Sequence, residues 1–201
     1  MTRRWLALLL PIALTGCGYN KIQTLDEQAN AAQGQIEVQL QRRADLIPNL
    51  VQTVKGFANQ ELAVFSEVAR ARSGVLGAVQ SRDPQQMADA NANLTGALGR
   101  LMVSVEAYPQ LKSDAGFLKL QDELAGTENR IGVSRTDYNG AVQGYNSYIR
   151  QFPAVLMAKM TGAKEKKYFT VTNAANREVP SVEFGAPGAP AGGAAPVPAP
   201  R

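Results

Sequence analysis

Histidine is absent from the sequence of 201 residues, and cysteine occurs once, as Cys17. The absence of histidine excludes Ser-His-Asp and Cys-His catalysis and histidine metal ligation, and a single cysteine excludes an intramolecular disulfide. The sequence also lacks a glycine-rich phosphate loop, a nucleophile elbow and a calcium-binding loop. Carboxylate chemistry and a Ser/Lys dyad are the enzymatic options that remain. We therefore expect no enzyme, no catalytic residue, no cofactor and no metal site.

Charge of one sign is not in large excess. The chain has 21 basic and 17 acidic residues, and removal of residues 1–16 takes away Arg3 and Arg4, which leaves 19 against 17 and a net charge of +2. The charges are interleaved and no recognition motif is present, so no nucleic-acid partner is expected.

The N-terminus has the pattern of a targeting segment. A basic start at residues 2–4 precedes an apolar run from Trp5 to Leu14, which is too short to span a bilayer and is typical of a secretory signal peptide. The next residues, Leu-Thr-Gly-Cys, resemble the end of a bacterial lipoprotein signal, in which the cysteine thiol takes a diacylglyceryl group and becomes the new N-terminus. Residues 1–16 are therefore predicted to be removed, with lipidated Cys17 as the membrane anchor.

One alternative for this segment stays open, because an ordinary secreted protein with a chance cysteine would show the same pattern. The residue after Cys17 is Gly18 and not aspartate. The usual lipoprotein sorting rule then implies the outer membrane of a Gram-negative envelope. We expect a location in the cell envelope that faces the periplasm or the exterior.

Apolar residues at alternating steps of three and four predict long helices that pack along one another. The first predicted helix covers residues 19–79 and would be about 90 Å long. The second covers residues 83–108 and the third residues 113–152, and the loops between them are short. Because short loops join antiparallel neighbours, the sequence predicts an all-α, up-and-down helical bundle of three to four helices.

Capping residues and one proline mark the predicted ends and breaks of these helices. Asp83, which precedes a proline, can cap the second helix, and Ser113 or Asp114 can cap the third. Pro48 lies inside the first helix, where it removes a hydrogen bond to Ala44 and is predicted to kink the helix or start a new one. A static kink is favoured over a functional hinge.

Three charged residues fall on the apolar stripes, Arg43 on the first helix and Glu128 and Arg135 on the third. Isolated buried charges are costly, so we expect Glu128 to pair with Arg43 or Arg135 in a polar layer. A structural role in setting helix register is favoured, with a ligand or metal site as the alternative.

Two Tyr-Asn pairs lie one heptad apart on the third helix and form a candidate Tyr/Asn row: Tyr138, Asn139, Tyr145 and Asn146. Such a row could bind a peptide or a sugar. The favoured interpretation is core packing, in which hydroxyl and amide groups satisfy neighbouring polar atoms.

Several separate motifs, over roughly residues 19–184, resemble the LemA family. They include Gln-Leu-Gln-Arg-Arg-Ala-Asp-Leu-Ile-Pro-Asn-Leu-Val at residues 39–51, Glu-Ala-Tyr-Pro-Gln-Leu-Lys at residues 106–112, and Glu-Asn-Arg-Ile at residues 128–131. The resemblance implies a bundle usually described as four helices, tethered near its N-terminus to a membrane on the non-cytoplasmic side. It implies no agreed activity and no catalytic residues. The fourth helix would come from a break at Pro48 or near Gly126.

The C-terminal part of the sequence changes character. A basic cluster at residues 164–167 is predicted to be a solvated helix end, with contact to anionic lipid headgroups as the alternative. Residues 168–171 and 179–184 are predicted to be short extended pieces packed on the bundle. The last residues, 185–201, consist of Gly, Ala, Pro and Val with a terminal Arg and are predicted to be disordered. The predicted organisation is a signal peptide (1–16), a helical bundle domain (17–184) and a tail (185–201).

Three functions fit these observations. The favoured one is a non-enzymatic, lipid-anchored helical scaffold or adaptor of the bacterial envelope that acts through an unidentified protein partner. The second is a ligand-binding or sensing module that uses the polar layer or the Tyr/Asn row. A hydrolase that uses paired carboxylates is the third.

Overall fold

The computed structural model describes the backbone of residues 2–57 and 62–172, and the side chains within these ranges from residue 18 onward. The described residues form helices and no β-strand, which confirms the all-α prediction. Four of the helices are long and two are short: α1 (Thr2–Phe57), α2 (Leu62–Ser81), α3 (Pro84–Val105), α4 (Pro109–Lys112), α5 (Ala115–Arg150) and α6 (Ala154–Thr161).

The first two helices are antiparallel and do not form one rod. Arg72 Nε on α2 donates a hydrogen bond to the Ala44 carbonyl on α1 over 2.9 Å, and Arg82 Nε lies 3.2 Å from Glu37 Oε1. Later residues of α2 thus contact earlier residues of α1. The chain reverses direction between α1 and α2, so the prediction of a single helix over residues 19–79 is wrong.

The apolar pattern gives no sign of this reversal. Val54, Val68 and Val75 are fourteen and seven residues apart, so the seven-residue repeat stays in phase from α1 into α2. Folding back allows α2 to bury its apolar stripe against its neighbours, which a straight rod could not do. The fourth long helix arises at this reversal, and neither at Pro48 nor near Gly126, which lies inside α5.

Pro48 is exposed and α1 continues through it without a new start. Proline has no N–H to offer the carbonyl of Ala44, four residues earlier. Ala44 is fully buried, and its carbonyl accepts the hydrogen bond from Arg72 instead. The Arg72 side chain on α2 therefore replaces the hydrogen-bond donor that Pro48 removes from α1.

The remaining long helices begin at the predicted caps. Asp83 Oδ1 accepts hydrogen bonds from the backbone N–H groups of Gln85 (2.9 Å) and Gln86 (3.3 Å) at the start of α3. Asp114, rather than Ser113, caps α5 through the N–H of Phe117. α3 runs antiparallel to α2, and α5 runs antiparallel to α1, against which it packs most extensively.

The core fills the space between the four long helices, and a smaller cluster lies near the first described side chains. In the smaller cluster, Ile22 of α1 packs with Tyr145 and Ile149 of α5 and with Ala158 of α6. α6 begins directly after Pro153 and is only 8 residues long, and the sequence patterns above do not predict these bounds. This helix closes the end of the bundle that is nearest to Cys17.

Residues 163–172, called here the return segment, leave α6 without helical structure and run back along the bundle. Phe169 is buried in the main core, as expected for a piece packed on the bundle. The prediction of a solvated helix end at residues 164–167 is wrong, because α6 ends at Thr161 and this stretch contacts other helices. Residues 179–184 and 185–201 lie outside the described residues.

Within the part of the chain that the structure describes, no helix combines the length and apolar character needed to cross a membrane.

Candidate functional site

Arg43 is the centre of the polar contacts inside the bundle, with only 4% of the residue exposed. Its Nη1 donates a hydrogen bond to Asn91 Oδ1 over 2.6 Å and forms an ion pair with the carboxylate of Glu128. These residues, called here the arginine cluster (Arg43, Asn91 and Glu128), join α1, α3 and α5. Burial lowers the pKa of Arg43 and Glu128 opposes that shift, but an arginine stays protonated in proteins.

The arginine cluster differs from the predicted polar layer in two ways. Glu128 lies at the edge of the core with 43% of its side chain exposed, and the neighbouring Thr127 takes the fully buried position. Arg135 is exposed and lines a shallow groove beside the return segment, so the structure does not bring it to Arg43. The buried face of α5 therefore follows Leu124, Thr127 and Ile131 and places the charged positions at its margin.

Asn91 is a cluster member that the sequence reasoning missed. Asn91 lies on the apolar stripe of the second predicted helix, where the other positions include Met87, Leu94, Leu98, Leu101 and Val105. A buried amide needs a polar partner, so the position of Asn91 on an apolar stripe could have identified it as a partner of Arg43.

The Tyr/Asn row contacts the chain itself. Asn146 makes two hydrogen bonds with the backbone of Lys166, from its Nδ2 to the carbonyl over 2.9 Å and from the Lys166 N–H to its Oδ1 over 2.8 Å. Asn139 pairs with the backbone of Phe169 in the same way, at 3.3 and 2.8 Å. Each amide side chain thus satisfies both polar groups of one residue in the return segment.

The two tyrosines complete the row. Tyr138 Oη donates a hydrogen bond to the carbonyl of Lys167 over 2.8 Å, and the Lys166 ammonium lies 5.5 Å from the centre of the Tyr145 ring. Burial raises the pKa of Tyr138 to about 12, with Asp83 adding to the shift, so the hydroxyl stays protonated and able to donate. Burial also raises the pKa of Tyr145.

The spacing of the row matches an extended chain. Asn139 and Asn146 are seven residues apart on α5, a rise of about 10.5 Å. Their partners, Lys166 and Phe169, are three residues apart, which spans about 10 Å in an extended segment. The hydrogen bonds of the row are all made to backbone atoms, so the row is a cradle for an extended peptide that this chain fills with its own residues.

Lysines of the return segment anchor it to two further helices. Lys166 Nζ lies 3.0 Å from Asp26 Oδ1 and donates to Asn30 Oδ1 over 2.8 Å, both on α1. Lys167 Nζ lies 2.7 Å from Asp83 Oδ2 at the start of α3. The hydrogen bond from Lys167 holds the pKa of Asp83 below its usual range, with smaller contributions from the N–H groups that Asp83 caps.

Other parts of the predicted site are not brought together. Within residues 18–57 and 62–172, no group of three or more acidic side chains is arranged to hold a metal ion. The side chain of Cys17 lies outside the described residues, so its lipidation stays a prediction. A functional role for the arginine cluster or the Tyr/Asn row also stays a prediction, because the contacts found are those of a folded bundle.

The sequence is similar to three proteins that are named magnetosome proteins. Magnetosome protein MamQ 2 and Magnetosome protein MamQ 1 of Paramagnetospirillum magneticum (strain AMB-1) are each 30% identical over 174 residues. Magnetosome protein MamQ of Magnetospirillum gryphiswaldense (strain MSR-1) is likewise 30% identical over 174 residues. The matches cover 75% of this chain and 64% of each relative, so the chain spans less than two thirds of the relatives' length.

The family assignment rests on a match to more than half of the chain. The model of the LemA family matches residues 32–184, a range that includes the arginine cluster, the Tyr/Asn row and the described return segment. The four long helices agree with the four-helix bundle that the resemblance implies, and the match shows that the chain belongs to the LemA family.

Proposed function

We propose that this protein is a non-enzymatic scaffold of the bacterial envelope, anchored to a membrane by lipid on Cys17. In this role it binds another protein through the end of the bundle that lies farthest from the anchor. A magnetosome role is not part of the proposal, because the chain spans only part of the relatives that carry that name.

The observation that carries the proposal is an apolar surface at that far end. Leu62 and Val103 are each 70% exposed, and Phe57 and Leu118 are also exposed. We call these four residues the distal surface, because α1 ends, α2 begins, α3 ends and α5 begins at this end of the bundle. Large apolar residues that are exposed at one end of a bundle are available for contact with another protein.

The internal polar groups support the same function. The residues of the arginine cluster and the Tyr/Asn row donate and accept hydrogen bonds within the same chain. A ligand at the row would first have to displace the return segment, which makes five backbone hydrogen bonds to Tyr138, Asn139 and Asn146. The ligand-binding alternative therefore has less support than the scaffold.

Photo-crosslinking in the native membrane tests the protein contact. Probes replace Leu62 and Val103 on the distal surface, and a control probe replaces Val133, which is similarly exposed on the side of α5. We expect one dominant protein to crosslink to both distal probes and not to the control. The proposal is wrong if the distal probes capture nothing reproducible, or the same products as the control.

The anchor has its own test. Mass spectrometry of the N-terminal peptide of the membrane-purified protein should show diacylglyceryl-modified Cys17 with residues 1–16 removed. The variant Cys17→Ser should lose this modification and its processing. An unmodified Cys17 in the native protein contradicts the anchor and leaves the protein-contact test intact.

A further inference from the structure

The short helix α6 has two faces of different character. Ala154 and Ala158, four residues apart, are buried against the bundle. Leu156 and Met160 lie on the opposite face and are exposed, Met160 by 82%. Phe152, just before the helix, is 81% exposed. We call Phe152, Leu156 and Met160 the proximal surface.

The proximal surface lies at the end of the bundle nearest to the predicted anchor. Ala158 of α6 packs with Ile22 of α1 in the smaller core cluster. Ile22 follows Cys17 by five residues on the continuous helix α1, a rise of about 7.5 Å. Any lipid on Cys17 would therefore hold a bilayer within a short distance of α6.

The charge around α6 suits an anionic lipid surface. Residues 150–165 contain Arg150, Lys159, Lys164 and one acidic residue, Glu165. Glu165 lies 3.5 Å from Arg150, so the net positive charge of this stretch comes from Lys159 and Lys164. Basic side chains beside large apolar ones are typical of helices that lie in a membrane interface, where the lysines meet headgroups and the apolar residues enter the acyl boundary.

We infer that the proximal surface inserts into the interface of the bilayer that carries the anchor. The inference rests on the proposed function for the identity of that bilayer, and it adds a second attachment point. An anchor at one residue leaves a rod free to tilt, whereas a second contact fixes its orientation. α5 alone is about 54 Å long, so the distal surface would be held roughly that far from the lipid.

A spin label reports the insertion directly. The full-length protein is purified from membranes with its own anchor and placed in vesicles of phosphatidylethanolamine and phosphatidylglycerol. The label is attached to Met160→Cys, and a control protein carries it at Val103→Cys on the distal surface. Cys17 is the only native cysteine, so an introduced cysteine is the single free thiol once Cys17 carries lipid.

At position 160 we expect the label to be several-fold more accessible to oxygen than to a water-soluble nickel chelate, relative to the label at position 103. Adding Leu156→Glu should return the label at position 160 to water, whereas Val133→Glu should have no effect. Both sites are exposed, so neither change disturbs the core. Equal aqueous accessibility at positions 160 and 103 overturns the inference.

The lipid state of Cys17 is measured by mass spectrometry on the same samples. A lipidated Cys17 with a water-exposed label at position 160 leaves the proposed anchor standing and refutes the proximal surface. If Cys17 carries no lipid, the experiment is repeated with Met160→Cys in the Cys17→Ser chain. Insertion of that label supports the proximal surface and refutes the anchor, and an aqueous label refutes both.

Discussion

The replacement of a missing backbone donor by Arg72 leads to a quantitative prediction. Because Pro48 has no N–H, the buried carbonyl of Ala44 depends on Arg72 Nε, 2.9 Å away. A hydrogen bond from a charged donor contributes about 1.5–3 kcal/mol, and a buried carbonyl left without a donor costs about 1–3 kcal/mol. Arg72 is half-buried, so we take the low end and expect Arg72→Met to lower the free energy of unfolding by about 1.5 kcal/mol.

The effect of Arg72→Met on the free energy of unfolding should depend on Pro48. In Pro48→Ala the backbone N–H returns and can donate to Ala44 within α1. Arg72→Met should then cost about 0.5 kcal/mol or less, which gives a coupling of about 1 kcal/mol between positions 48 and 72. Pro48→Ala alone should stabilise the protein, because proline inside a helix costs about 3 kcal/mol relative to alanine.

Urea unfolding followed by far-UV circular dichroism measures the coupling in the parent, the two single variants and the double variant. Arg70→Met serves as the control, since Arg70 is an exposed arginine two residues away on the same helix, and it should change the free energy of unfolding by less than about 0.5 kcal/mol. If Arg72→Met costs the same with proline and with alanine at position 48, Arg72 does not act as the substitute donor and the reasoning is refuted.

Three further predictions concern the internal polar contacts. Glu128→Ala should lower the free energy of unfolding by about 2 kcal/mol because it removes the anionic partner of the buried Arg43. Arg135→Ala, at an exposed position, should change the free energy of unfolding by less than about 0.5 kcal/mol. An unchanged melting temperature for Glu128→Ala would contradict a stabilising ion pair. Asn146→Ala should speed amide hydrogen exchange in the return segment while exchange in α2 stays at the parent rate, and unaltered protection at Lys166 counts against the cradle. Because the pKa of Asp83 is depressed in the folded state, its charge stabilises at neutral pH and this contribution is lost as the pH falls below 3.8. The stability difference between the parent and Asp83→Asn should therefore shrink in acid, and a pH-independent difference contradicts a stabilising role of the Asp83 charge.

The features that sequence reasoning found are those with a local cause. Asp83 and Asp114 cap helices because a carboxylate three residues before a helical N–H is a contact within one turn. The apolar stripes of α3 and α5 follow from a period that the sequence shows directly. Arg43 and Glu128 were paired because a buried charge needs a partner, and only a few partners were available.

The features it missed depend on contacts between distant parts of the chain. The reversal after Phe57 leaves the heptad phase unchanged, so only the packing of α2 against α1 reveals it. The Tyr/Asn row was recognised, but the segment that it binds was not, because Asn139 and Asn146 bind backbone atoms 30 and 20 residues away, respectively. Backbone groups have no sequence signature, so no spacing of side chains could identify the return segment as the partner.

The path of the return segment decides where the C-terminal part of the chain emerges. The segment ends at Thr172, whose N–H donates to Asp89 Oδ1 on α3 over 2.8 Å. The start of α3 lies level with Gln33, which donates to the Arg82 carbonyl, and Asp89 is about 10 Å farther along. Whatever follows Thr172 therefore begins on the flank of the bundle, about 25 Å above Ile22, at mid-height and not at the end that is nearest to Cys17.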